Sequence, residues 1–397
     1  MPAFRPVVAV LCALLAAGGC SEKDAGAPVP AAQAMTAAAI GELIFHDPLL
    51  SASGKQSCAS CHSPGHAHAA PNDRAVQLGG PQLDQPGTRA VPSLRYLAAT
   101  PDFSDDDTGK AAGGFNHDGS ADTLAAQAER PLLAANEMAN LTRKAVVEKL
   151  RRAKYAGDFR RVFGRSSLDD VDAAFATLGH ALERYQREAP EFQPFDSKYD
   201  AWLAGKAELT ASERRGLKLF NDPKKGNCAA CHPSERSDDG SAPLFTDFTY
   251  DALGVPRNAT IAANADPAHY DLGLCRAGRA GRAAAERECG KFKVPTLRNV
   301  GTRKAFFHNG HIGTLREAVA FYVRRDTHPA EWYPRAADDT VLRFDDLPAP
   351  MRTNVNRDEA PYDRKPGQRP ALSDAEIDDV VSFLHMLTDG YAAHPFR

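Results

Sequence analysis

The chain has 397 residues, 43% of them hydrophobic and 25% charged, which fits a soluble globular protein of two domains. Its formal net charge of −3 gives no electrostatic footprint for nucleic acid, although local basic patches could still steer a protein partner.

Residues 1–19 have the layout of an export signal: Arg5 at the start, an apolar run from Val7 to Ala17, and the small residues Ala17, Gly18 and Gly19. That run is too short to span a bilayer as a helix. Cys20 follows and is a candidate for lipidation, with Ala17 where a lipobox usually has leucine; simple secretion is the alternative. Residues 20–34, rich in Ala, Pro and Gly, read as a tether. The expected location is the periplasm, with membrane contact limited to a lipid anchor.

A helix is expected over 35–46, with Ile40, Leu43 and Ile44 on one face. Then comes Cys58-Ala59-Ser60-Cys61-His62, the C-x-x-C-H attachment pattern for c-type haem. Cys58 and Cys61 can form thioethers to the vinyl groups, and His62 can bind the iron. Residues 63–92 read as loop. His66 and His68 are expected there as solvated side chains, although either could reach a haem iron. Residues 100–116 form a Gly- and Asp-rich loop in which Asp105, Asp106 and Asp107 read as a solvated acidic run. A helix starts at Thr123, and Pro131 must end or kink it. A basic amphipathic helix follows over 143–154, and a longer one over 169–187 buries Val171, Phe175, Leu178, Leu182 and Tyr185.

In the second half, Thr210-Ala-Ser-Glu213 is a capping box that starts a helix. It leads to a second C-x-x-C-H string, Cys228-Ala229-Ala230-Cys231-His232. Cys275 and Cys289 are left to pair in an oxidising compartment, closing a loop of about 15 residues worth about 3 kcal/mol. Helices begin at Thr314 and Ser373, and the polar stretch 335–370 is expected to wrap the surface. The fold class is mainly α with long loops; no segment carries a βαβ pattern.

The chain echoes itself. Gly41-Glu-Leu-Ile-Phe-His-Asp-Pro48 matches Gly216-Leu-Lys-Leu-Phe-Asn-Asp-Pro223 before the two haem strings. Val91-Pro-Ser-Leu-Arg-Tyr-Leu97 matches Val294-Pro-Thr-Leu-Arg-Asn-Val300 after them, and His117-Asp-Gly matches His308-Asn-Gly. Such order implies an internal duplication: two tandem cytochrome c-like domains, 35–195 and 196–397, each with one covalently bound haem c. A single string could be a redox dithiol or a zinc half-site; two in an exported chain favour haem.

The copies differ where function is decided. Tyr322 lies fourteen residues after His308, and the same count from His117 reaches Pro131. If this point faces the open side of each haem, His232 and Tyr322 close the second iron while the first stays open to a small ligand. Gln127 and Glu137 flank Pro131. A carboxylate there can move a proton between the oxygens of hydrogen peroxide, and an amide can donate a hydrogen bond. The structural alternatives are a surface helix position for Gln127, an exposed helix start for Glu137 and a core tyrosine for Tyr322.

These strings, with Glu137-Met138, Phe292-Lys-Val-Pro-Thr-Leu-Arg-Asn299 and Phe307-His-Asn-Gly310, resemble the bacterial di-haem cytochrome c peroxidase and MauG superfamily from residue 38 to 391. The resemblance implies a periplasmic enzyme with a peroxide site at the first haem, where Gln127 and Glu137 fall on the family's glutamine and glutamate. Tyr322, where conventional peroxidases carry methionine, is similar to the MauG-like and methanobactin-associated branch, which oxidises tryptophan residues of a partner protein. The implied partners are hydrogen peroxide and a periplasmic protein substrate or small electron-donor protein. A conventional peroxidase that detoxifies hydrogen peroxide and a non-catalytic di-haem electron carrier are the alternatives. Two departures stand out. His117 occupies the place of the family's inter-haem tryptophan, as a poorer relay. Relatives hold calcium between the haems, but the corresponding positions in this chain are Ala90, Arg303 and Ala305, and a basic residue disfavours a cation.

Overall fold

The structure, a computed structural model, describes residues 35–105, 110–276, 281 and 285–392. The expected signal, tether and Cys20, together with Asp106 and Asp107, lie outside the described residues.

The first half begins with helix Ala37–His46, capped by Thr36, whose Oγ1 accepts from the Ala39 N–H at 3.1 Å. Ile40 and Ile44 are buried as expected, but Leu43 is 38% exposed. The inward stripe is instead Ile40, Gly41, Ile44 and Phe45, because Gly41 sets the crossing with helix Val171–Glu188. A Cβ on Gly41 would lie 2.0 Å from the Ala181 carbonyl oxygen, so the two backbones can meet only at glycine. The duplicated partner repeats the device: a Cβ on Gly216, in helix Ala211–Asn221, would lie 2.0 Å from the Asp379 carbonyl oxygen of helix Asp374–His385.

Helix Leu124–Leu133 carries Pro131 in its last turn, where the chain is about to leave the helix. Arg143–Arg152 and Val171–Glu188 form where periodicity places them, while Val171 sits at the rim and is only half-buried. The short helices Ala156–Phe163 and Lys198–Leu203 are marked by no periodic run. In the second half the capping boxes at Thr210/Glu213 and Ser373/Glu376 are made in both directions, and Thr314 caps helix Leu315–Arg324. Strands are limited, among the described residues, to three antiparallel ladders of two residues each, 78–79 with 85–86, 104–105 with 111–112, and 250–251 with 292–293. Cys275 and Cys289 are joined, with Cα atoms 4.8 Å apart. No helix among the described residues is long and apolar enough to cross a membrane.

Apolar side chains gather into two main cores, one built from residues between Ile40 and Phe192 and one from residues between Tyr199 and Leu387. The duplication extends to backbone detail. Asn116 and Phe307, just before His117 and His308, both take left-handed φ (66° and 64°), as do Tyr96 and Asn299 (66° and 62°). The stretch 335–370 does more than wrap the surface: Phe344, Leu347, Val355 and Tyr362 are buried, three of them inside the second core.

Candidate functional site

Cys58–Cys61 form a single helical turn, with the Ser57 backbone N–H donating to Ser60 Oγ at 3.0 Å. Neither thiol is in a disulfide, nor are those of Cys228 and Cys231. Burial pushes the Cys58 and Cys228 thiols up to about 12 before any group is attached. His62 comes next, and its Nδ1 faces the carbonyls of Pro92 at 3.1 Å and His68 at 3.2 Å. That arrangement puts the ring proton on Nδ1 and leaves the Nε2 lone pair free to ligate. Burial holds the ring neutral, with its pKa lowered to about 4. His232 repeats the pattern, with Nδ1 2.7 Å from the Phe245 carbonyl and burial again lowering the ring. Pro295 faces that ring as Pro92 faces His62. The Val-Pro strings recur after each haem string because they supply the backbone that orients each histidine.

A cavity of about 300 Å³ runs from Cys228, Cys231 and His232 past Tyr322 to His117 and Gln127. Tyr322, from helix Leu315–Arg324, lies on its wall, and its hydroxyl has no hydrogen-bond partner among the described residues. Tyr362, from the 335–370 stretch, packs beside it with ring centroids 6.1 Å apart. The guanidinium of Arg325, fully buried and paired with Asp326 at 2.6 Å, stacks on Tyr362 at 4.3 Å. Burial raises the Tyr322 phenol and Arg325 opposes that rise.

Glu137 lies in the turn between Pro131 and Met138. Gly80 N–H donates to the Glu137 carbonyl at 2.8 Å, and Gly79 lies so close that a Cβ would be 2.7 Å from Glu137 Cα. The Glu137 side chain is solvent-accessible yet ringed by protein, and the resulting desolvation raises its carboxyl. Its charge reaches both Cys58 and Cys61. Gln127, one helical turn before Pro131, lines the cavity.

His68 is not the solvated loop histidine expected. It is fully buried, stacked on Phe192 at 4.1 Å, with neither ring nitrogen hydrogen-bonded. Left-handed φ at Ala67 and His68 turns the ring into the first core, among Phe45 and Phe192. His66 is half-buried against Ser63 Oγ at 3.1 Å. His117 donates from Nε2 to the Ala90 carbonyl at 2.8 Å, and burial lowers its pKa to about 3, so the ring is neutral. Ala90 N–H in turn donates to the His308 carbonyl at 2.8 Å, stitching the two copies together. No group of three or more His, Cys, Asp or Glu residues suited to a metal ion occurs among the described residues, and the calcium positions offer a methyl at Ala90 and a guanidinium at Arg303. Sequence reasoning misses Tyr362, which carries no motif.

Paired thiols outside any disulfide beside an oriented imidazole in each half, and an apolar-walled cavity at the second, fit a covalently held haem at each string.

A family model for di-haem cytochrome c peroxidase matches residues 35–208. The chain is 35% identical over 389 residues to the methylamine utilization protein MauG of Paracoccus denitrificans, covering 96% of this chain and 94% of that one. It is 31% identical over 306 residues to MauG of Methylorubrum extorquens, covering 75% and 72%. The crystal structure of the diheme peroxidase BthA from Burkholderia thailandensis superposes with a TM-score of 0.80 at 41% identity, covering 89% of this chain and 86% of that one. The chain therefore belongs to the di-haem cytochrome c peroxidase and MauG superfamily, and is a peroxidase-type oxidoreductase with two haem c groups.

Proposed function

We propose that this is a periplasmic, MauG-like enzyme in which the first haem, held by Cys58, Cys61 and His62, meets hydrogen peroxide. Cys228, Cys231, His232 and Tyr322 would hold the second, which would supply the route by which a partner-protein residue or a small electron donor is oxidised. The observation that carries this reading is the asymmetry of the two copies: a phenol on the wall of the second cavity, and a proline without a donor atom at the corresponding place in the first. The haem supplies the redox centre for peroxide reduction. Glu137, its carboxyl raised by desolvation, takes the proton from the near peroxide oxygen and delivers it to the far one. Gln127, on the wall of the central cavity, would supply an amide hydrogen bond to the bound oxygen. Carbonyl contacts at Nδ1 of His62 and His232 fix the tautomer that ligates.

The domain division at 195/196 follows the two apolar cores, Cys20 carries any lipid anchor, and calcium is left out because Arg303 occupies its place. A conventional detoxifying peroxidase is the second reading, favoured by His117: a neutral imidazole is a poorer one-electron relay than an indole.

Tyr322→Phe tests the assignment. Loss of the low-spin ferric signal of one haem, with the other unchanged, is the expected result; an unchanged spectrum returns Tyr322 to the core.

A further inference from the structure

Several arginines withdrawn from solvent at the site and in the cores are matched by carboxylates. Arg89 is held by Asp118 at 2.9 Å and Asp271 at 2.6 Å, Arg298 by Asp200 at 2.8 Å, and Arg325 by Asp326 at 2.6 Å. Arg303 differs. It follows the turn Val300–Thr302 and lines the central cavity, donating to the Ala305 carbonyl at 3.1 Å, and it forms no ion pair among the described residues. Desolvation lowers it to about 10, with no neighbouring acid opposing the shift. It shares the cavity wall with His117 and with Pro92, whose carbonyl lies 3.1 Å from His62 Nδ1, which puts it on the side of the first haem string. Lys293, on the same wall, is likewise without an ion pair among the described residues and bonds the Gly114 carbonyl.

A guanidinium does not shed its proton in a protein, so a desolvated one without a carboxylate needs an anion from elsewhere. The group fixed at Cys58 and Cys61 brings one. Thioether bonds hold a haem by its vinyl edge, and its two carboxylates leave from another edge. We propose that Arg303 is the counter-cation of a propionate of the haem held at His62, pairing with it through two parallel N–H···O bonds. This rests on the haem reading of the first string and deepens it. Arg303 then acts as a positioning residue: it would keep that propionate ionised across neutral pH and so help fix the haem's seating.

The test uses the holoprotein and the variants Arg303→Met and Arg303→Lys. Haem content is counted first by pyridine haemochrome; fewer than two haems in the parent protein overturns the haem reading itself. With two haems present, resonance Raman should show the propionate-bending band of the first haem displaced in both variants, since neither side chain can make the paired bonds. The midpoint potential of the first haem should be nearly independent of pH between about 5 and 8 in the parent and in Arg303→Lys, where a cation remains. In Arg303→Met it should fall as pH rises, because the uncompensated buried carboxylate then takes up a proton on reduction. Arg303→Lys keeps the test open should the methionine variant fail to fold. Two haems with unmoved bands and a pH-independent potential in the variants overturn the assignment, as does a change confined to the second haem.

Discussion

Replacing Glu137 with glutamine separates a chemical role from a structural one. The two side chains have the same shape, and the backbone contact that seats the residue, Gly80 N–H to the Glu137 carbonyl, survives the change. The carboxyl itself makes no hydrogen bond among the described residues, and desolvation raises its pKa. An acid whose folded-state pKa is raised lends stability below its unfolded pKa and loses it as pH rises through the folded value. Above that raised pKa the ionised Glu137 therefore detracts slightly from stability, and Glu137→Gln should there be as stable as the parent or slightly more so. The reaction with peroxide should move the other way. Loss of a positioned proton carrier typically slows such a step by about a hundredfold or more, or about 2.7 kcal/mol of barrier. In the parent, the rate should fall as pH drops through the raised pKa, because the base form is lost, and the variant should lack that limb. Stopped-flow mixing with peroxide and equilibrium denaturation of the same preparations read both quantities. An unaltered rate, or a rate and a stability that fall together, would refute the acid–base role.

Gly41→Ala and Gly216→Ala should each destabilise by about 1–3 kcal/mol, because the new methyl meets a carbonyl oxygen of the facing helix. Gly157→Ala, in open space within a helix, should instead stabilise by about 0.4–1 kcal/mol, and denaturant titrations compare all three. Arg325→Met should lower stability by about 3 kcal/mol by breaking a buried ion pair, while Arg343 still holds Asp326. The same variant should weaken the low-spin signal of the second haem, because the cation that favours an ionised Tyr322 is gone; a spectrum untouched by the loss would contradict that coupling.

The parts legible in the sequence are those with a period or a motif. The haem strings, the capping boxes at Thr210 and Ser373 and the buried faces of the long helices each follow from local chemistry, and the duplication follows from comparing the chain with itself. The parts that escape lie in long aperiodic loops. His68 sits among Pro, Gly and His residues that read as solvated, and two successive left-handed residues turn it into the core. Tyr362 is surrounded by Asp, Arg and Pro, so nothing local marks it as the neighbour of Tyr322. Leu43 faces outward because a small residue, Gly41, directs the close helix contact, and hydrophobic spacing does not register a glycine. Arg303 reads from the sequence only as a basic residue that disfavours a cation, and its place on the cavity wall shows in three dimensions, where the carboxylates beside Arg89, Arg298 and Arg325 are already engaged.

The central claim, one open haem and one closed by Tyr322, is tested most directly by electron paramagnetic resonance of the fully ferric holoprotein. The account predicts one high-spin and one low-spin signal in equal amounts, with the high-spin signal lost on adding peroxide. Two low-spin signals before peroxide is added would contradict it, because a protein residue would then close the first iron on the side where peroxide must bind.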